Sequence, residues 1–534
     1  VSPRPLRTGS REGELVPYPP TFWALVDETA AAHPDRVLVE DDFGRVLTAA
    51  EFRDAALGCA AALHADGVGD GTVVSWQLPT LIESLVLLAA LARLGAHQNP
   101  IIPLMREREV RYITNEVRTE LYIVPPQWRG FDHAALAHEV ARELGFRVLV
   151  VPVDAPKGPG VLHLPMGDPS ALPPPPLRLA PDSLPVRWTY HTSGTTSDPK
   201  GAMHTDWSVM HGASALVERL DLDETDVYPI AFPVTHIGGA VILTVFLVTG
   251  GRLVLFDAFD AARSPARFAA HGATILGTAV PFFNAYVAAQ GAQPDEPLFP
   301  DLRACIGGGA PIPTEIHHAL ERTFGVPGVV GSWGLTEFPN ATCARCEDPI
   351  DVLFGSVGRP GTGVELRVVD ANGDDVEPGA EGELVLRGPQ CMRGYANPAL
   401  DAGGFFPGRW FRTGDLGRIG TAGNVWITGR LKEIVIRNAE NISVAEIENA
   451  LSRHPRVLEA TVIGLPDPRT GERVCAVVVT RDGEPLGLDD VRAHCESLGL
   501  ARYKCPEQIE LVDVLPRNAM GKVQKPQLQA RFRS

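Results

Sequence analysis

The chain has 534 residues and a formal net charge of −17, with 45% hydrophobic and 21% charged residues. That length asks for two or more domains, and the composition excludes a disordered chain. The negative balance argues against nucleic acid as the main partner. It is also uneven: from Arg430 onward 16 Lys and Arg stand against 15 Asp and Glu, whereas the first 429 residues carry 32 against 50. A near-neutral tail on an acidic body points to separate domains.

In chain order, the first 180 residues alternate helix-like and strand-like runs. ESLVLLAALARLGA carries apolar residues at helical spacing, and ELYIVPP reads as a short buried strand stopped by proline. The alternation predicts an α/β architecture with helix-covered sheets. ALPPPPLRLAPDSLP, residues 171 to 185, is an extended connector. It leads through strand-like VRWT into YHTSGTTSDPKG, residues 190 to 201. AVILTVFLVTGG is too short to span a bilayer and no signal peptide opens the chain, so a cytoplasmic location is expected. The eight cysteines form no disulfide framework, and Cys343 and Cys346 make a lone CxxC without clustered histidine.

From about 350 to 429 the texture changes to short strands and turns, which predicts a small β-barrel-like subdomain. Asn372-Gly373 is a hairpin signal within it. After Arg430 comes a compact α+β pattern. Ser443 and Glu446 predict a capping box for a helix with Ile447, Ala450 and Leu451 on one face. VLEATVI and RVCAVVVT are strand-like.

The loop at 190 to 201 suits a phosphate group. Glycine and small hydroxyl residues leave backbone N–H groups free to face anionic oxygens. Thr192, Ser193, Thr195 and Thr196 can each donate, Gly194 gives the backbone room, and Lys200 adds a positive charge. Asp198-Pro199 turns the chain back to Lys200. The loop is not the P-loop of NTPases, because Lys200 precedes Gly201 instead of following a glycine before Ser or Thr. No G-x-S-x-G elbow makes Ser193 a nucleophile.

Five further stretches follow in order: GGGAP at 307 to 311, GSWGLTE at 331 to 337, WFRTGDLG at 410 to 417, GRLKEIVIRNAENIS at 429 to 443, and PRNAMGKVQK at 516 to 525. Together with the loop, this ordered set resembles the adenylate-forming superfamily, in its acyl-CoA synthetase (acyl-CoA ligase) branch. The resemblance runs from about residue 20 to 525. It implies an N-terminal AMP-binding domain over 1–429, including the β-rich part, and a small mobile α+β lid over 430–534 hinged at Lys432.

The resemblance also implies roles. The loop from Thr192 to Lys200 would hold the β- and γ-phosphates of ATP. Gly309, Ala310 and Pro311 would pass along the adenine, with Trp333 as its aromatic face where the family usually has tyrosine. Thr336 would touch the α-phosphate and Glu337 would hold Mg²⁺. Asp415, aided by Arg430, would accept from the ribose hydroxyls. Lys522 would bridge the carboxylate and the α-phosphate, and His236 would gate the acyl pocket. Asn438, Ala439 and Glu440 would line the coenzyme A tunnel.

The segment AFPVTHIGG lacks the aspartate by which amino-acid-activating relatives hold an amine, so an uncharged organic acid is expected. Twelve residues follow Lys522, so free coenzyme A is the expected acceptor. A hydrophobic acid (fatty, alicyclic, aromatic or terpenoid) is expected, with AVPFFNAY at 279 to 286 suggesting an apolar pocket. Ser197 stands where the family most often has glycine, and Asn438-Ala439 where many relatives have Gly-Gly. These departures raise an alternative: a ligase specialised for one half-reaction, with a partner ligase supplying or consuming the acyl-AMP. A non-catalytic nucleotide-binding protein is a remoter alternative, and a homo-oligomer is left open.

Overall fold

A computed structural model describes residues 15–153, 161–176, 183–192, 199–308, 312–431, 433–437, 440–481, 483–518 and 522–533. A seven-stranded mixed sheet lies at the centre. Its order is Gly394–Tyr395, Gly201–His204, Trp188–His191, His97–Pro100, Val73–Trp76, Leu121–Val124 and Arg147–Val150. The five strands from Trp188–His191 to Arg147–Val150 are parallel; Gly201–His204 pairs antiparallel with Trp188–His191, and Gly394–Tyr395 pairs antiparallel with Gly201–His204. Parallel strands are covered on both faces, which is why Leu121–Val124 is apolar throughout and fully buried.

Helix Ile82–Leu94 is buried at every residue and stops at Gly95, whose φ of 69° is the left-handed cap that glycine adopts cheaply. Its one acidic residue, Glu83, is not an error of patterning. Arg45 Nη2 lies 2.7 Å from Asp41 Oδ2 and donates to Glu83 Oε2 at 2.9 Å, and all three side chains are buried. Asp41 ends a strand of a second sheet, so this triad ties that sheet to the helix. Arg45→Met is expected to cost about 3–5 kcal/mol, because two carboxylates are left buried without a cation. Denaturant unfolding checks this; an unchanged midpoint would contradict it.

The second sheet has the order Val227–Ile230, Arg252–Leu255, Val37–Asp41, Val46–Thr48. A third runs Ile275–Leu276, Ala304–Gly308, Val329–Trp333, Thr342–Cys343, Arg359–Pro360. The β-rich region is a five-stranded antiparallel sheet built on the long strand Trp410–Ile419. Asn372-Gly373 does sit in a turn, closed by the Val369–Asp375 bridge, but the partner strand starts only at Gly382. The C-terminal sheet joins Glu440–Ser443, Ile434–Arg437, Gly471–Thr480 and Val457–Asp467, with Gln508–Leu511 added in parallel.

The capping box at Ser443 does not form. Its hydroxyl instead donates to Thr428 O at 2.6 Å, and Glu446 pairs with Lys504 at 2.7 Å. Both side chains thus bond residues distant in sequence rather than the helix start. Helix Val444–Ser452 nevertheless buries Ile447, Ala450 and Leu451 as its spacing requires. AVILTVFLVTGG supplies most of helix Ile237–Thr249, and among the described residues no helix is long and apolar enough to cross a membrane.

Candidate active site

The hydroxyl-rich loop leaves one strand of an antiparallel pair, Trp188–His191, and returns on the other, Gly201–His204. Its base is closed by Thr192 N–H donating to Lys200 O at 3.0 Å and Lys200 N–H donating to Thr192 Oγ1 at 3.3 Å. Gly201 has no room for a side chain: a Cβ there would come within 2.8 Å of Glu116 Oε2 and 2.9 Å of His191 Nε2. Ser193, Gly194, Thr195, Thr196 and Ser197 lie outside the described residues, as do Gly309, Ala310, Pro311, Lys432, Asn438 and Ala439. Glu440 begins the strand Glu440–Ser443, but its side chain is likewise outside the description.

Lys200 and Glu337 meet across Tyr395. The Lys200 ammonium sits 5.3 Å from the Tyr395 ring centroid, and Tyr395 Oη donates to Glu337 Oε1 at 2.8 Å. Tyr395 arrives there because Gly394–Tyr395 pairs with Gly201–His204. Thr336, next to Glu337, has its carbonyl fixed by His204 Nε2–H at 2.9 Å.

Trp333 closes its strand and donates Nε1–H to Asp415 Oδ2 at 2.8 Å. Asp415 is 2% exposed and faces Arg430 across two paired strands. Arg430 Nε lies 2.7 Å from Asp415 Oδ1, an ion pair by distance but off the angle of a hydrogen bond, so Oδ1 has no hydrogen-bond donor. Burial pushes the Asp415 carboxyl above its ordinary range, against the pull of Arg430, Trp333 and Lys522.

Lys522 comes from the far end of the chain into this group. Its backbone is pinned to Asn518 in both directions: Asn518 N–H donates to Lys522 O at 2.8 Å, and Lys522 N–H donates to Asn518 Oδ1 at 3.0 Å. Burial and Arg430 lower its ammonium below the ordinary 10.5, while Asp415, Glu433 and Glu337 oppose that shift. His236 caps helix Ile237–Thr249, accepting at Nδ1 from Gly238 N–H at 3.2 Å. Burial and Lys522 depress it to about 4, so the ring is neutral with its proton on Nε2. A small cleft is lined by both His236 and Thr336, and its apolar wall includes Ile102, Met105 and Ile113.

Thus Lys200, Trp333, Thr336, Glu337, Asp415, Arg430, Lys522 and His236 share one region although they span more than half the chain. Three contributors escaped the motif reading. Tyr395 gave no signal beyond one aromatic residue in a loop. Glu433 and Lys525 lie inside two of the motifs without a role assigned to them, and Lys525 Nζ lies 2.9 Å from Glu433 and 3.0 Å from Glu448, fastening the segment that carries Lys522. AVPFFNAY does not line the cleft. Its Phe283 and Tyr286 are fully buried in a separate aromatic core with Phe256 and Phe268. Cys343 and Cys346 are free thiols, raised by burial to about 12 and about 11.

Comparison with known proteins matches residues 26–396 to the AMP-binding enzyme family and residues 446–522 to the AMP-binding enzyme C-terminal domain. The chain is 35% identical over 512 residues to the sulfoacetate–CoA ligase of Cupriavidus necator, covering 95% of this chain and 97% of that one. It is 31% identical to the medium-chain fatty-acid–CoA ligase of Escherichia coli, covering 94% and 88%. Among solved structures, ATP-bound MatB from Rhodopseudomonas palustris superimposes with a TM-score of 0.85 at 27% identity, covering 97% and 99%.

Proposed function

Because the chain belongs to the AMP-binding enzyme family, in the acyl-CoA ligase branch of the adenylate-forming superfamily, and is an ATP-dependent, AMP-forming CoA ligase, we propose that it activates a hydrophobic carboxylic acid at the Lys522–Asp415–Glu337 cluster. The observation that carries this reading is the convergence of Lys522 on Asp415, Glu337 and His236 beside a cleft with an apolar wall. The acid would be fatty, alicyclic, aromatic or terpenoid.

The residues fit the nucleotide. Asp415 Oδ1 is buried without a hydrogen-bond donor, and ribose hydroxyls are donors of the kind it lacks. Trp333, anchored at its indole N–H, would offer a ring face to the adenine. Lys200 and the loop from Thr192 would take the terminal phosphates. Among the described residues no cluster of three or more His, Cys, Asp or Glu could hold a metal. Mg²⁺ needs no such cage, since one or two carboxylates with phosphate oxygens and water suffice, and Glu337 fits that pattern. The ion would polarise the phosphates and offset the charge of the departing pyrophosphate.

Adenylation brings two anions together, because the carboxylate must attack an α-phosphate. Lys522 would neutralise both as the bond forms, an interaction worth most in the transition state. His236, neutral and with Nε2–H to donate, would orient the acid without adding charge. Asp415 and Arg430 hold the nucleotide end while Thr336 is fixed by His204 beside the reacting phosphate. For the second step the lid, taken as 430–534, would turn about Lys432 and present the segment from Asn438 to Glu440 to coenzyme A.

ATP–pyrophosphate exchange with a panel of acids tests the reading; exchange with hydrophobic acids is expected, and none with any acid would overturn it. The pH profile gives a second check. Burial disfavours the charged Lys522, so the needed proton is lost as pH rises through a value below 10.5. The alkaline limb of kcat/KM for exchange, which reports the free enzyme, is expected below that value. Lys522→Arg should remove the limb from whatever activity is left; an identical limb in both proteins would contradict the assignment.

A further inference from the structure

Besides burial, four charged groups act on the Lys522 ammonium: Arg430 disfavours it, while Asp415, Glu433 and Glu337 favour it. His236 stands close enough to feel that charge in turn. Each of the three carboxylates is nevertheless held by a different group. Arg430 Nε lies 2.7 Å from Asp415, Tyr395 Oη donates to Glu337 at 2.8 Å, and Lys525 Nζ lies 2.9 Å from Glu433. No Asp or Glu among the described residues lies within ion-pair distance of Lys522 Nζ. A cation set among three anions is thus paired with none of them.

Lys525 is fixed where it stands. It opens helix Lys525–Arg531, whose Leu528 is buried against Ile463 and Leu465 of strand Val457–Asp467. Its ammonium also reaches Glu448 at 3.0 Å, and Glu448 Oε1 accepts from Thr461 Oγ1 and from Val462 N–H, both at 2.8 Å. Lys522 belongs to the same short segment: Arg517 bridges Val523, and Gln524 N–H donates to Pro516 O at 2.7 Å. Glu433 is kept beside Arg430 by its N–H, which donates to Arg430 O at 2.9 Å. Besides burial, three cations act on Glu433: Lys525, Arg430 and Lys522. Arg430 is committed to Asp415, so a Glu433 released from Lys525 has Lys522 left to turn to. The flexible stem of a lysine lets its ammonium follow such a carboxylate.

Building on the proposed activity, we propose that Lys525 is a positioning residue for the first step: it occupies Glu433, which would otherwise draw off the Lys522 ammonium, and so leaves Lys522 free for the carboxylate and the α-phosphate. An ammonium already paired must break that pair before it can neutralise the incoming anions. Glu433 is half exposed, so its hold on Lys522 would fall between that of a surface pair and that of a buried one, about tenfold in rate. What matters in this role is the charge of Glu433, not the fastening of the segment.

Lys525→Met, which removes the charge and keeps an unbranched side chain, tests this against Lys525→Met combined with Glu433→Gln. In the single variant, ATP–pyrophosphate exchange with an accepted acid is expected to fall about tenfold. Its alkaline limb of kcat/KM should move to higher pH, because a Lys522 paired with Glu433 holds its proton longer. Thioester formation from presynthesised acyl-AMP and coenzyme A should change little. The double variant has the net charge of the wild type and no competing carboxylate, so most of the exchange should return and the limb should fall back to its wild-type position or below it. Normal exchange by Lys525→Met, loss of both half-reactions together, or a double variant as impaired as the single one would overturn the inference and leave the ligase reading standing. Absence of exchange by the wild type with every acid would instead overturn the ligase reading, and this inference with it.

Discussion

Lys522→Ala is expected to lower ATP–pyrophosphate exchange about 10²–10³-fold while thioester formation from presynthesised acyl-AMP and coenzyme A stays largely intact. The split follows from geometry. Lys522 is held by Asn518 and lies in the field of Asp415, Glu433 and Glu337, where only the first step develops extra negative charge. Acyl-AMP has already lost pyrophosphate, so a thiolate attacking its carbonyl has no triphosphate charge to neutralise. A general loss of folding would lower both halves together. Equal loss in the two assays from a variant that still folds would contradict a role confined to the first step.

Glu337→Gln is the second large effect. Glutamine keeps an oxygen to accept from Tyr395 Oη, now 2.8 Å from Glu337 Oε1, so packing is largely preserved. What disappears is the negative charge that would hold Mg²⁺. Exchange is expected to fall about 10²–10³-fold at ordinary Mg²⁺ and to recover in part as the ion is raised. Tyr395→Phe, which leaves the carboxylate in place, should cost far less. A Glu337→Gln enzyme with normal activity and an unchanged Mg²⁺ requirement would contradict the assignment.

How much of this was legible in the sequence differs from residue to residue. Lys200, Glu337, Asp415, Arg430 and Lys522 were legible as candidates because each sits in one of the ordered motifs through which the chain resembles the superfamily, and the fold brings them into one region. The α/β body was legible because buried parallel strands such as Leu121–Val124 must be apolar on both faces. Tyr395 was not, since its meaning depends on pairing with a strand almost two hundred residues earlier. The pairing of His191 with Glu116 depends in the same way on a helix, Glu107–Glu116, packing against the central sheet. Ser443 misled for the same reason: the local signal for a cap was sound, but its hydroxyl found Thr428 O across the fold. AVPFFNAY had the composition of a pocket, but composition does not say whether aromatic rings surround a space or fill it.

The most direct test of adenylation follows the oxygen atoms. A carboxylate labelled on both oxygens with heavy isotope, given with ATP, Mg²⁺ and coenzyme A, attacks the α-phosphorus through one of them. When the thiolate then displaces AMP at the carbonyl carbon, that oxygen leaves with the phosphate. Mass spectrometry is expected to find one heavy oxygen in the AMP for each thioester formed and none in the inorganic phosphate pool. Heavy oxygen in orthophosphate, or thioester formed with unlabelled AMP, would contradict the account.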